Sequence, residues 1–148
     1  MSLRESILSS ASNYPTYRLK KKVDKADPTY ELVTKSIPSD IERFIAGEGA
    51  YIIEGSTGKG NITAAPWIAV FDPLITKSAR DGYYVVYLFS TELERVYLSL
   101  GIGVQQFEEY YGRNSMMFEK VRDAAELLAA QIKTSANILY PKNGGWKS

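Results

Sequence analysis

The 148-residue chain contains neither cysteine nor histidine. Without cysteine there are no disulfides, no thiolate nucleophile and no zinc site built on sulfur. Without histidine the chain also lacks the one side chain whose ordinary pKa suits general base work near neutral pH. Of all the absences, this pair narrows function most. Long apolar runs are missing too: nothing approaches the roughly 18–20 residues that a membrane-spanning helix requires. The first twelve residues, MSLRESILSSAS, carry acid and serine and have no apolar core of a secretory signal, so a cytoplasmic location is expected. A strong charge of either sign is also lacking, because 18 basic and 17 acidic residues leave a net charge of +1. No global field pulls the chain onto nucleic acid, so any such binding needs a local basic face.

What is present fits an ordinary folded domain. Apolar residues make up 45% and charged residues 24%, so one domain over residues 1–148 with its own core is expected. Eleven tyrosines stand out, and their apolar rings and polar tips suit half-buried strands and stacking pockets alike. Residues 3–12 read as a short helix with Leu3, Ile7 and Leu8 on one side, broken by Asn13 to Pro15. Pro28 opens a second helical stretch with Asp27 as its N-cap, and Tyr30, Val33 and Ile37 are placed inward. Pro38 is expected to interrupt it, with Ser39 capping a further turn through Ile41, Phe44 and Ile45.

The middle of the chain reads as strands at 50–55, 66–72, 83–90 and 95–101, the last two joined by a short link as an antiparallel hairpin. In the strand at 83–90, alternation puts Tyr84, Val86 and Leu88 on one face and Tyr83, Val85, Tyr87 and Phe89 on the other, packed one. Helices are expected at 104–111, ended by Gly112, and at 115–133. In the latter, Phe118, Val121, Ala125, Leu128 and Ile132 form an apolar stripe to pack on the sheet. Consecutive strands without crossover helices argue for an α+β fold: a mostly antiparallel, curved sheet of four or more strands, with helices on its N- and C-terminal sides. The tail, 134–148, reads as a loop that stops without a structural reason, so the domain is expected to be part of a longer protein.

Three patterns bear on chemistry. The Gly-rich turn STGKGN at 56–61 fails as a phosphate loop: Gly58-Lys59 is followed by Gly60 rather than serine or threonine, and a strand rather than a helix comes next. Asp72, Asp81, Glu92 and Glu94 form no metal-dependent nuclease pattern, so neither a catalytic residue nor a metal or other cofactor is assigned. Arg18, Lys20, Lys21 and Lys22, interleaved with Tyr14 and Tyr17, read either as a solvated charge run or as a nucleic-acid groove.

Residues 58–71 read GKGNITAAPWIAVF, 81–90 read DGYYVVYLFS and 94–103 read ERVYLSLGIG. A G-x-G-N turn, a P-W strand, a D-G-x-Y strand and a hairpin partner ending L-x-x-G-I, in that order, resemble the N-terminal recognition domain of McrB-type restriction systems. The resemblance implies binding of double-stranded DNA that carries modified cytosine (5-methyl, 5-hydroxymethyl or a related adduct), with the base rotated into a pocket. It implies no enzyme activity in this domain. Cleavage would come from nuclease and GTPase motor domains in cis or in trans. By position, Trp67, Tyr84 and Leu88 correspond to pocket residues. Lys59 stands where the family carries a pocket aromatic that sorts bases by size, which opens the modification preference; Tyr140 is a candidate for a further pocket tyrosine. Asn61, Arg18, Lys20, Lys21, Lys22, Lys77 and Arg80 would touch phosphate or a base edge. The same tryptophan and tyrosine also read as plain sheet core, which would leave a protein-interaction module without a base pocket. A small hydrolase would need a catalytic constellation that these residues do not offer.

Overall fold

The computed structural model describes residues 2–136, with side chains through Gln131. Helix α1 runs over Leu3–Arg18, opened by a reciprocal capping box between Ser2 and Glu5. It does not break at Asn13 to Pro15. Tyr14 and Tyr17, on either side of the proline, are fully buried, and that burial outweighs the loss of one helical hydrogen bond. The inward face also differs from the expected one. Ser6, Ser10, Tyr14 and Tyr17 point in, whereas Leu8 is half exposed. Small hydroxyl residues let the next helices approach closely, and the Ser6 hydroxyl donates to the buried Asp40 carboxylate at 2.5 Å.

Pro28 opens α2 (Pro28–Glu31), and the Asp27 side chain accepts from the Thr29 N–H at 2.8 Å, as a cap does. The chain does not stop at Pro38 and Ser39 caps nothing there. It passes through one π-turn at Leu32–Ser36 directly into α3 (Ile37–Phe44). The π-turn lets the Ile37 N–H reach back to the Leu32 carbonyl, and this wider turn absorbs a proline that has no N–H to give. Val33, Ile37 and Ile41 are buried and Tyr30 is partly so, while Phe44 lies in solvent.

Strands β1 (Ile52–Ser56), β2 (Trp67–Phe71), β3 (Tyr83–Phe89) and β4 (Val96–Ile102) form one antiparallel sheet in the order β1-β2-β3-β4. The fold is α+β, with helices from both ends of the chain flanking this sheet. Register is set by pairs such as Ser56 with Trp67, Trp67 with Leu88, and Tyr84 with Gly101. One face carries Ile53, Ile68, Val70, Tyr87 and Phe89 against Tyr14, Tyr17, Ile37 and Ile41. Gly55 makes this fit possible, because a Cβ there would overlap the Val33 carbonyl oxygen of the π-turn. The helices cover only part of that face. Tyr83 and Val85, expected in the packed set, are exposed, because among the described residues the helix-packed cluster does not extend to that end of β3.

The other face carries Trp67, Ala69, Phe71, Tyr84, Val86 and Leu88. Helices α4 (Gln105–Tyr111), ended by Gly112, and α5 (Ser115–Ala136) follow β4. Of the expected α5 stripe, Val121 and Ala125 turn toward this face and Leu128 is half-buried. Phe118 is exposed instead, while Met117 beside it is fully buried, a shift of one residue in the inward stripe near the helix start. Ile132 and Tyr140 fall outside the residues whose side chains are described.

Candidate nucleic-acid interface

Between the second sheet face and α5 lies a hollow of about 470 Å³. Trp67, Tyr84 and Leu88 line it together, with Val86 on the floor. Trp67 and Leu88 are cross-strand partners, so they stand side by side at one end. Tyr84 is four residues along β3, about 13 Å away on the same face. Gly101 and Ala79 border the Tyr84 end, and Val121 and Ala125 of α5 form the opposite wall. Among the described residues, the polar side chains in the lining are the indole of Trp67 and the phenol of Tyr84. Such a space suits a flat, weakly polar ring.

Three contacts fix Tyr84. Its ring meets Phe71 edge-on, with centroids 5.2 Å apart. Its hydroxyl donates to the Ala79 carbonyl at 3.1 Å. Its ring also lies over Gly101, where a Cβ would overlap it. Burial pushes the phenol pKa up, so it stays protonated as a donor. The Ala79 bond ties the pocket wall to the 72–82 loop, which carries the exposed Lys77 and Arg80.

The Gly-rich turn is held from two sides. The basic segment after α1 zips onto it: Val23 N–H donates to Gly60 O, Ile62 N–H to Lys21 O, each at 2.8 Å, and Lys22 Nζ donates to the Asn61 side chain at 2.6 Å. From the core, Tyr14 donates to Thr63 O at 2.8 Å, and the Tyr17 and Thr57 hydroxyls meet at 3.1 Å. Tyr14 and Tyr17 are therefore no part of an open stacking groove. They are anchors, and burial raises the Tyr14 pKa. Gly58 and Gly60 both have positive φ, and at Gly58 any side chain would overlap the Asn61 carbonyl. Lys21, Lys22, Lys59 and Asn61 thus form one exposed polar group. Lys59 does not line the hollow.

Two of the remaining cations are engaged. Arg18 Nη1 donates to the carbonyls of Ala64 at 2.8 Å and Thr91 at 2.7 Å, joining the end of α1 to two sheet loops. Lys20 pairs with Asp24 at 2.8 Å and Asp27 at 2.6 Å. The lining residues beyond the three expected ones, chiefly Ala79, Gly101, Val121 and Ala125, carry no chemical signal in the sequence. Their places could still be read in part: Gly101 as the glycine of the L-x-x-G-I element, Val86 by alternation with Tyr84 and Leu88, and Val121 and Ala125 from the apolar stripe of α5. Among the described residues no group of carboxylates is placed to hold a metal, and no helix is long and apolar enough to cross a membrane.

The MrcB-like, N-terminal domain family matches residues 10–143. The chain belongs to this family. Comparison with curated proteins and with solved structures gave no match. The MrcB-like domain is a DNA-binding recognition module of a restriction system and not its catalytic part. Its membership extends the likeness well beyond the sheet segments, from within α1 to past the described end of α5.

Proposed function

We propose that this MrcB-like domain binds double-stranded DNA carrying a modified cytosine and takes the base, turned out of the helix, into the hollow between Trp67, Tyr84 and Leu88. One observation carries the reading: a tryptophan and a tyrosine on neighbouring strands border a single apolar space. Stacking on these rings compensates the stacking lost from the duplex, and Leu88 with Val86 meets the 5-substituent. Lys21, Lys22, Lys59 and Asn61 at the Gly-rich turn, with Lys77 and Arg80 on the 72–82 loop, engage the phosphate backbone or a base edge. Cleavage belongs to nuclease and motor domains in the same protein or in a partner, for which this chain supplies targeting.

The test is titration of fluorescent duplexes that differ in one base: cytosine, 5-methylcytosine or 5-hydroxymethylcytosine. Tighter binding to the modified duplexes is expected, with affinity falling steeply as salt rises. Trp67→Ala should lower affinity for the modified duplex about 5- to 150-fold, the range set by one lost base–aromatic stack, while Trp67→Phe retains most of it. Equal affinity for all three duplexes refutes the proposal. Absence of any salt-sensitive DNA binding would turn the domain into a protein-interaction module.

A further inference from the structure

Among the described residues the most exposed large apolar side chain is Leu74, 94% accessible, in the 72–82 loop. A lone exposed leucine is ordinary. Three observations set this one apart. First, its loop is braced. The Asp72 carboxylate accepts from the Leu74 N–H, and the Asp72 carbonyl from the N–H groups of Ile75 and Thr76, each at 2.9 Å. The Thr76 hydroxyl donates to Ser78 O at 3.0 Å, the Ser78 hydroxyl accepts from the Arg80 N–H at 3.1 Å, and Arg80 O accepts from the Gln105 N–H at 3.1 Å. Little ordering is left for this loop when a partner arrives. Second, the loop borders the apolar hollow. Ala79 lines it and holds the Tyr84 hydroxyl, and Leu74 stands five residues earlier, at most about 18 Å of extended chain away. Third, charge does not distinguish this loop: Asp72 and Asp81 balance Lys77 and Arg80. The bare leucine does.

We propose that Leu74 is a wedge that enters the gap left in the duplex by the cytosine whose ring occupies the hollow. The inference rests on that hollow being the base pocket. A base turned out of the stack leaves its neighbours two steps apart, about 7 Å, with apolar ring faces open to water. A leucine side chain fits a slot of that height and buries against both faces. The extruded base stays bonded to its strand, so whatever fills the gap must rise from the border of the pocket, where this loop lies. A braced loop presents the leucine already in place, with the exposed Lys77 and Arg80 on the same loop for the flanking phosphates.

The experiment titrates the whole chain and its Leu74→Ala and Leu74→Met variants with three duplexes: unmodified, carrying one paired 5-methylcytosine, and carrying the same 5-methylcytosine as an unpaired bulge. In the bulged duplex the neighbouring bases can stack directly once the extra base leaves, so no gap needs filling. Leu74→Ala should bind the paired methylated duplex about 5- to 50-fold more weakly, the loss of most of one buried leucine, and Leu74→Met should retain most of the affinity. On the bulged duplex Leu74→Ala should match the unaltered chain within about twofold. Its urea midpoint and its salt slope should not move, because the side chain is exposed and uncharged. Unchanged binding of Leu74→Ala to the paired duplex, with the methyl preference intact, overturns the wedge and leaves the base pocket standing. So does an equal loss on the paired and bulged duplexes, which would make Leu74 a contact outside the gap. If the unaltered chain shows no methyl preference, or binds the bulged duplex no better than unmodified DNA, the base pocket falls, and the wedge with it.

Discussion

Replacing Gly101 with alanine probes how the pocket wall is built. Within a strand, alanine is normally favoured over glycine by about 0.5–1 kcal/mol, because glycine loses more backbone freedom on folding. Here the sign should reverse. The added Cβ would overlap Tyr84 Cε2 and lie 2.7 Å from Cζ, against the 3.4 Å at which ordinary contact begins, so the ring must retreat by more than about 0.7 Å. It has little room to do so. Phe71 holds one edge and the hydroxyl is bound to Ala79 at 3.1 Å. Overpacking costs about 1–3 kcal/mol, and a stretched hydrogen bond adds about 1 kcal/mol. Urea unfolding should therefore show Gly101→Ala destabilised by about 1–3 kcal/mol. Duplex titration should show the preference for modified DNA reduced, because the displaced ring intrudes on the base pocket. The decisive measurement is the double-mutant cycle. In a Tyr84→Ala background the obstacle is gone, so Gly101→Ala should be neutral or stabilising. An equal cost in both backgrounds would show that Gly101 does not serve Tyr84, and the account of this wall would fail.

Two further outcomes follow from the charged contacts. Arg18→Ala removes two carbonyl contacts of 2.8 and 2.7 Å, so the stability loss should be about 1–3 kcal/mol by thermal or urea unfolding. An unchanged unfolding midpoint combined with a salt slope lower by about one would instead make Arg18 a phosphate contact. The pH response should centre on Asp24 and Asp27. Hydrogen bonds from Lys20 and the Ala26 N–H lower the Asp24 pKa; for Asp27, burial acts the other way but the bonds from Lys20 and Thr29 prevail. Groups lowered in the folded state stabilise it above their unfolded pKa, and this contribution disappears as pH falls through the folded values, below about pH 4. The Lys20 pKa is raised by the same bonds, so its share is complete below its unfolded pKa and lost only at strongly alkaline pH. Asp27→Asn keeps an acceptor for the helix cap but removes one titrating group, so circular dichroism should show a shallower acid transition. An acid limb identical to that of the unaltered chain would disprove the assignment.

Local periodicity made the sheet legible. Alternation and β-branched or aromatic content placed all four strands to within about two residues, and the short 91–94 link specified the final hairpin. The same alternation put Tyr84, Val86 and Leu88 on one face, and register then set Trp67 beside Leu88. Local rules misjudged the N-terminal helices, where proline suggested two breaks. Tertiary burial of Tyr14 and Tyr17 carried α1 through Pro15, and a π-turn carried the chain past Pro38. The basic run showed the same limit. Its charge was plain, but only the fold revealed that its tyrosines face inward and that Arg18 and Lys20 already have partners.

The sequence by itself determined the strands, their alternation, the lack of cysteine and histidine chemistry, and the ordered motifs of the family, since each depends on residue type and short spacing. Only the tertiary structure decided which side chains share a space. It closed α5 over the sheet, laid Tyr84 across Gly101 and left an apolar hollow between sheet and helix. Contacts between distant segments depend on packing in three dimensions, which no local pattern encodes.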